Sequence, residues 1–223
     1  MHKKMKKQQL IEKLPLILAL VGIGVYAAQS TYYALYQIPV MDEGAYLIKG
    51  YQFALGNYKP FQPYGFWTNK MVLGFYIWGW IQVIFSPGLL APRLFAVVFG
   101  VATVVGTWLT IKRVGNKWFG MISVWTFALN PYLVGNYSWA VSQILVITML
   151  TWILFLILDR NLPTWRIIAA SILSVVLVFT RENMVFFLPL FLLYVFWQHG
   201  KKKGFYALGV VLALFIIGHL LFW

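Results

Sequence analysis

The 223-residue chain is 61% hydrophobic and only 10% charged, with a mean hydropathy of +0.78, a composition that excludes a soluble globular domain. Its 18 basic residues against 5 acidic ones give a net charge of +13. In so apolar a chain these cations are expected to flank membrane spans and meet anionic lipid, so the bilayer and not nucleic acid is the expected partner. The absence of cysteine removes disulfides, thiolate metal sites and haem attachment, and leaves the redox compartment open.

The chain opens on MHKKMKKQQLIEKLPLILALVGIG, a basic start running into an apolar stretch too long for a signal peptide and without a clear small-residue cleavage site, which reads as an uncleaved first span. About 20 residues at 1.5 Å each are needed to cross roughly 30 Å of hydrocarbon. Seven runs qualify as expected spans, over 14–36, 90–111, 118–135, 139–158, 167–180, 183–198 and 204–223. The predicted fold is thus an all-α polytopic membrane protein with about seven transmembrane helices. It is a single membrane domain over 1–223, divided into the first span, an outer loop over 37–88 and six further spans from residue 90.

An eighth apolar run, Met71 to Phe85, is short and is followed by Ser86, Pro87 and Gly88. Counting it as a span reverses the side of every later loop, so the positive-inside rule decides it. With this run lying on the surface, thirteen of the 18 basic residues fall on the cytoplasmic side and Lys49, Lys59, Lys70, Arg93 and Arg181 fall outside. With it inserted, only seven stay inside. The run therefore reads as an interfacial helix, which suits Phe75, Tyr76, Trp78 and Trp80. The runs 167–180 and 183–198 are short, and a re-entrant hairpin with Arg181-Glu182 at its tip gives the same topology.

The segment from Asp42 to Lys70 carries the sequence's chemistry. Asp42 and Glu43 are adjacent acids in a chain with five carboxylates, and they open a second amphipathic stretch in which Leu47, Ile48, Tyr51, Ala54 and Leu55 recur at helical spacing. Gly56 and Asn57 end it, and GNYKPFQPYG reads as a turn-rich connector. Tyr46 stands four residues after Asp42 and three after Glu43, which places an acid and a phenol on one side of the helix start. Asp42 and Glu43 have a plain structural reading as an N-cap and a first-turn acid. They also have a functional one, as a general base at a membrane interface.

Lys70 and Arg93 are each either a snorkelling anchor or a phosphate ligand. Arg181 lies near the membrane interior, where a charge costs about 2.5 to 3.5 kcal/mol on insertion scales, so it calls for a partner such as Glu182 or for a task. His219 has no ligand-spaced neighbours and reads as a packed residue. No phosphate-binding glycine loop, zinc motif or nucleophile elbow is present.

Asp42-Glu43-x-x-Tyr46 after a first span, Gly56-Asn57-Tyr58-Lys59-Pro60, the Lys70-led interfacial helix and Pro92-Arg93-Leu94 at the second span together resemble the C-type superfamily of integral membrane glycosyltransferases. The branch most similar is that of the protein O-mannosyltransferases and lipid A aminoarabinose transferases, over about residues 14–200. The resemblance implies a polyprenyl-phosphate sugar donor, an acceptor hydroxyl of unspecified kind, and inverting transfer at the non-cytoplasmic face of the cell membrane with the N-terminus cytoplasmic.

It implies Asp42 as the base that takes the acceptor's proton, with Glu43 beside it, and Lys70 and Arg181 as cations on the departing phosphate. Tyr46 and Arg93 join them as expected substrate-binding residues. Many such enzymes carry a second acid where this chain has Gln143, so no cofactor is expected and a divalent metal lacks support. They are also longer, so the chain is expected to be a fragment. The rival expectation is a transporter or lipid flippase, which would show ionisable residues along its spans or an inverted repeat.

Overall fold

Every third or fourth residue of the first helix turns inward, and the fourth, fifth and sixth helices are laid against that stripe. In the computed structural model, which describes residues 2–60, 62, 64–65, 72–159 and 161–222 (side chains from residue 12 to residue 220 of these), α1 runs His2–Tyr36. Pro15, Ala19, Gly22, Tyr26, Ser30 and Ala34 form its buried face. These are mostly small residues, so neighbouring backbones approach closely, as membrane helices do. A Cβ on Gly22 would strike Val124 and Trp125, and the Trp125 indole donates to the Leu18 carbonyl at 3.1 Å. Between these positions Leu16, Ile17, Leu20 and Val21 stand 44 to 55% exposed, an apolar surface fit for lipid and not for water.

The helices that follow are α2 (Met41–Ala54), α3 (Leu73–Phe85), α4 (Leu90–Val114), α5 (Lys117–Ala128), α6 (Pro131–Asn136), α7 (Ser142–Ile157), α8 (Thr164–Thr180), α9 (Phe187–His199) and α10 (Lys201–Phe222), with a 3₁₀ turn over Glu182–Phe186. No strand occurs among the described residues. Three segments are long and apolar enough to cross a membrane: Glu12–Tyr36, Leu90–Val114 and Lys201–Leu220, of 25, 25 and 20 residues.

The seven runs expected from hydropathy, two of them short, are not all present as single long helices. The run 118–135 is divided between α5 and α6, because Asn130 accepts from the Leu133 amide at 3.2 Å and Pro131, which has no amide hydrogen, opens a new helix. The run 139–158 becomes helical only at Ser142, and 183–198 opens with the 3₁₀ turn. Apolar composition marks what avoids water, and caps and prolines mark where helices stop.

The two helices of the outer loop pair with each other. A Cβ on Gly79 would run into the Gly50 carbonyl, and one on Gly50 would meet the Phe75 carbonyl, so α2 and α3 cross backbone to backbone. Gln82 fastens the crossing, donating to the Leu47 carbonyl at 2.9 Å. The buried face of α2 is Glu43, Leu47, Gly50 and Phe53. The expected apolar face is corrected accordingly: Ile48 and Leu55 are exposed, at 67% and 49%.

The residues of α3 divide between a packed face and an open one. Phe75, Trp78 and Gln82 are buried among α2, α4, α7 and α8, while Trp80, Ile84 and Phe85 stay more than half exposed. At the start of α3, Gly74 abuts the Thr180 carbonyl at the end of α8. That contact brings the acidic turn of α2 and the α8–α9 junction to one place.

Candidate functional site

Four chain segments converge where α2, α3 and α7 begin and α8 ends. A cavity of about 260 Å³ lies between them, lined by Asp42, Ala45 and Tyr46 of α2, Phe75 of α3, Gln143 of α7, and Arg181, Glu182 and Asn183. Asp42 and Gln143 are each the second residue of their helix. Both helix N-termini therefore direct partial positive charge and unpaired amides toward this end of the bundle, which favours an anion there.

Asp42 does not cap its helix. The cap position is Val40, which offers no side-chain bond, and Asp42 already lies inside the first turn. Its carboxylate is exposed and makes no hydrogen bond or ion pair among the described residues. Arg181 is half-buried and its guanidinium is likewise without a partner among them; the expected pairing with Glu182 does not form. Only its backbone is held, its amide donating to the Leu177 and Val178 carbonyls at 3.1 Å.

Tyr46 is fixed on two sides. Its ring stacks on Phe75 at 4.7 Å between centroids, and its hydroxyl meets Ser142 Oγ at 2.6 Å. Ser142 in turn lies 3.4 Å from the amide oxygen of Gln143. Sequence reasoning did not place Ser142, Phe75 or Asn183 in the site. A serine opening an apolar helix is too common a pattern to point to a site, and the tyrosine that uses it lies 96 residues away.

Glu43 and Arg93, both expected in the site, are placed elsewhere. Glu43 is fully buried and takes a two-pronged ion pair from Arg93, Nε to Oε1 at 2.8 Å and Nη2 to Oε2 at 2.6 Å. The Ala140 amide adds a third bond to Oε1 at 3.0 Å. Arg93 Nη1 donates to the carbonyls of Ala34 and Gln37 at 3.2 and 2.7 Å. Every nitrogen of the guanidinium is engaged, and the pair ties the end of α1 and the starts of α2 and α4 to the chain entering α7. Neither residue lines the cavity.

Lys70 lies outside the described residues. Its connector neighbours Tyr58 and Tyr64 stack at 3.8 Å and meet Phe53 edge-on, which closes the far end of α2. On α2 itself, burial lowers the Lys49 ammonium below its usual range. Burial likewise raises the Tyr76 phenol on α3. Neither residue lines the cavity, and nor does His219. Among the described residues no group of three or more histidine, aspartate or glutamate side chains is arranged to hold a metal ion.

Compared with family models, with curated proteins and with solved structures, the chain matches none.

Proposed function

We propose that the chain transfers a glycosyl group from a polyprenyl-phosphate donor to an acceptor hydroxyl, with Asp42 as general base. The observation that carries this reading is that a carboxylate, Asp42, and a guanidinium, Arg181, both unengaged among the described residues, line one cavity at the end of an apolar bundle. Asp42 takes the proton from the acceptor hydroxyl, and the oxygen attacks the anomeric carbon from the face opposite the phosphate. The bond from that carbon to the phosphate oxygen breaks, and its electron pair leaves with the polyprenyl phosphate. Configuration at the carbon inverts.

Arg181 and the two helix N-termini stabilise the charge that develops on the leaving group. Two carboxylates, Asp42 and Glu182, share the cavity with one guanidinium, so a departing phosphate needs a further cation. The resemblance assigns that place to Lys70. Glu43 and Arg93 hold the first turn of α2 and do not touch substrate in this reading.

Asp42→Asn keeps the shape of the side chain and removes its basicity. In proteoliposomes given radiolabelled polyprenyl-phosphate sugar, transfer falls by about 10² to 10⁴-fold while helix content is unchanged. Undiminished transfer would dispose of the mechanism.

In the same reading the bundle crosses the cell membrane seven times, with the N-terminus cytoplasmic and the cavity on the opposite face, as the distribution of basic residues favours. Helices α7 and α8, of 16 and 17 residues, measure about 24 to 26 Å at 1.5 Å per residue. They span by letting flanking polar residues reach the interface. Because the chain has no cysteine, a single Asn57→Cys reports the side of the connector. A membrane-impermeant maleimide labels it in intact cells, and Lys201→Cys labels only after lysis; the reverse pattern overturns the topology.

A further inference from the structure

At the other end of α1 and α4 a second, smaller cavity of about 170 Å³ is lined by Glu12, Lys13, Leu16, Trp108, Lys112 and Lys117. The stretch of α1 from Glu12 to Tyr36 holds 25 residues, about 36 Å of helix, so this cavity and the one at Asp42 stand a membrane's thickness apart. Three lysines line it against one acid, and Glu12 neutralises none of them. No ion pair joins Glu12 to Lys13, Lys112 or Lys117. Lys117 Nζ instead donates to the Glu12 backbone carbonyl at 3.2 Å, and Lys112 Nζ sits over the Trp108 ring, 5.4 Å from its centroid.

Like charges gathered around a cavity repel one another unless an anion joins them. The wall that is not charged is apolar. Leu16 borders the cavity, and Leu16 and Leu20, one helical turn apart on α1, are 44% and 55% exposed, a lane leading from the cations along the flank of a membrane-crossing helix. Trp108, amphipathic and set beside the lysines, matches the aromatic residues found at headgroup level.

We propose that this cavity binds an anionic glycerophospholipid, its phosphate held by Lys13, Lys112 and Lys117 and an acyl chain lying along Leu16 and Leu20. The site tethers α1 to the α4–α5 turn, since its cations come from all three helices. It rests on the chain lying in a membrane, and not on glycosyl transfer.

The full chain, purified in detergent, is mixed with phosphatidylglycerol or phosphatidylcholine, and the bound lipid is counted by native mass spectrometry. Wild type retains phosphatidylglycerol in preference to phosphatidylcholine, and millimolar inorganic phosphate does not displace it. Lys112→Gln with Lys117→Gln weakens retention by about 30-fold, from roughly 1 kcal/mol for each cation near an anionic headgroup. The charge-matched pair Lys201→Gln with Lys202→Gln changes it less than twofold, and Lys112→Arg with Lys117→Arg keeps it, which separates loss of the site from loss of the fold. Equal weakening by the two Gln pairs, equal retention of the two lipids, or complete displacement by phosphate would each overturn the lipid site, the last in favour of a site for a free anion.

Discussion

Asp42 and Glu43 are neighbours in one helical turn, yet the protein treats them as opposites. A helix rotates about 100° per residue, so when Glu43 faces inward Asp42 faces the cavity. Glu43 is buried, with Arg93 and an amide completing its bonds. Asp42 is exposed and unengaged among the described residues, with an equally unengaged Arg181 beside the same space. A buried charge survives when its bonds are satisfied, and such a pair orders structure more than it adds stability. An acid and a base of that kind held apart at a cavity wall are available to a third molecule. Composition shows two acids side by side; the direction each one faces decides which is structural.

The comparison breaks most severely at Glu43. Glu43→Ala leaves the Arg93 guanidinium buried without its counter-ion and costs about 3 to 5 kcal/mol, visible as a large drop in the thermal unfolding midpoint in detergent. Glu43→Gln with Arg93→Met, which removes both charges and keeps the volume, recovers most of that loss. Total transfer follows the folded fraction, and transfer per folded molecule is unchanged. A Glu43 variant of unchanged stability that lost all activity would place Glu43 in the chemistry and erase the distinction drawn above.

Arg181 is the converse case. Arg181→Gln removes a cation that has no protein partner among the described residues, so stability moves by no more than about 0.5 kcal/mol. Transfer falls by about 10² to 10³-fold, the loss typical of a donor aimed at developing charge. A decrease in kcat at unchanged stability identifies it as part of the site. Activity within twofold of wild type would leave the guanidinium without a role.

Much of this arrangement was legible in the sequence, for reasons that also explain what was not. Helical class and membrane affinity follow from hydropathy summed over long windows, and α1, α4 and α10 carry those windows intact. The acidic turn was legible because carboxylates are scarce in this chain, and Arg181 because a charge in apolar sequence needs a reason. The partner of Glu43 lies 50 residues away on another helix, and sequence spacing reports only neighbours on one helix. For the same reason Arg93 read as a possible phosphate ligand. Helix boundaries such as the break at Asn130-Pro131 were hidden by the continuity of apolar residues across it. The burial of α3 depends on Gly50 and Gly79 facing each other across two helices, and no pattern within either helix says so.

The smallest expected effect sharpens the comparison from the side of Asp42. Tyr46 lies one turn after Asp42 on α2, and its hydroxyl bond to Ser142 at 2.6 Å ties the wall that carries Asp42 to the helix that carries Gln143. Tyr46→Phe keeps the stacking on Phe75 and deletes that bond, so stability falls by about 0.5 to 1.5 kcal/mol. Ser142→Ala removes the same bond from the other end. If the bond is the whole contribution of each hydroxyl, the double variant is no worse than the poorer single one, and the coupling energy equals the loss seen in either. Transfer drops by only a few-fold in all three, because Asp42 keeps its place and loses only rigidity. Were Tyr46→Phe to cost as much transfer as Asp42→Asn while Ser142→Ala did not, the phenol itself would be taking part in proton transfer, and the base would have to be sought in the pair and not in Asp42 alone.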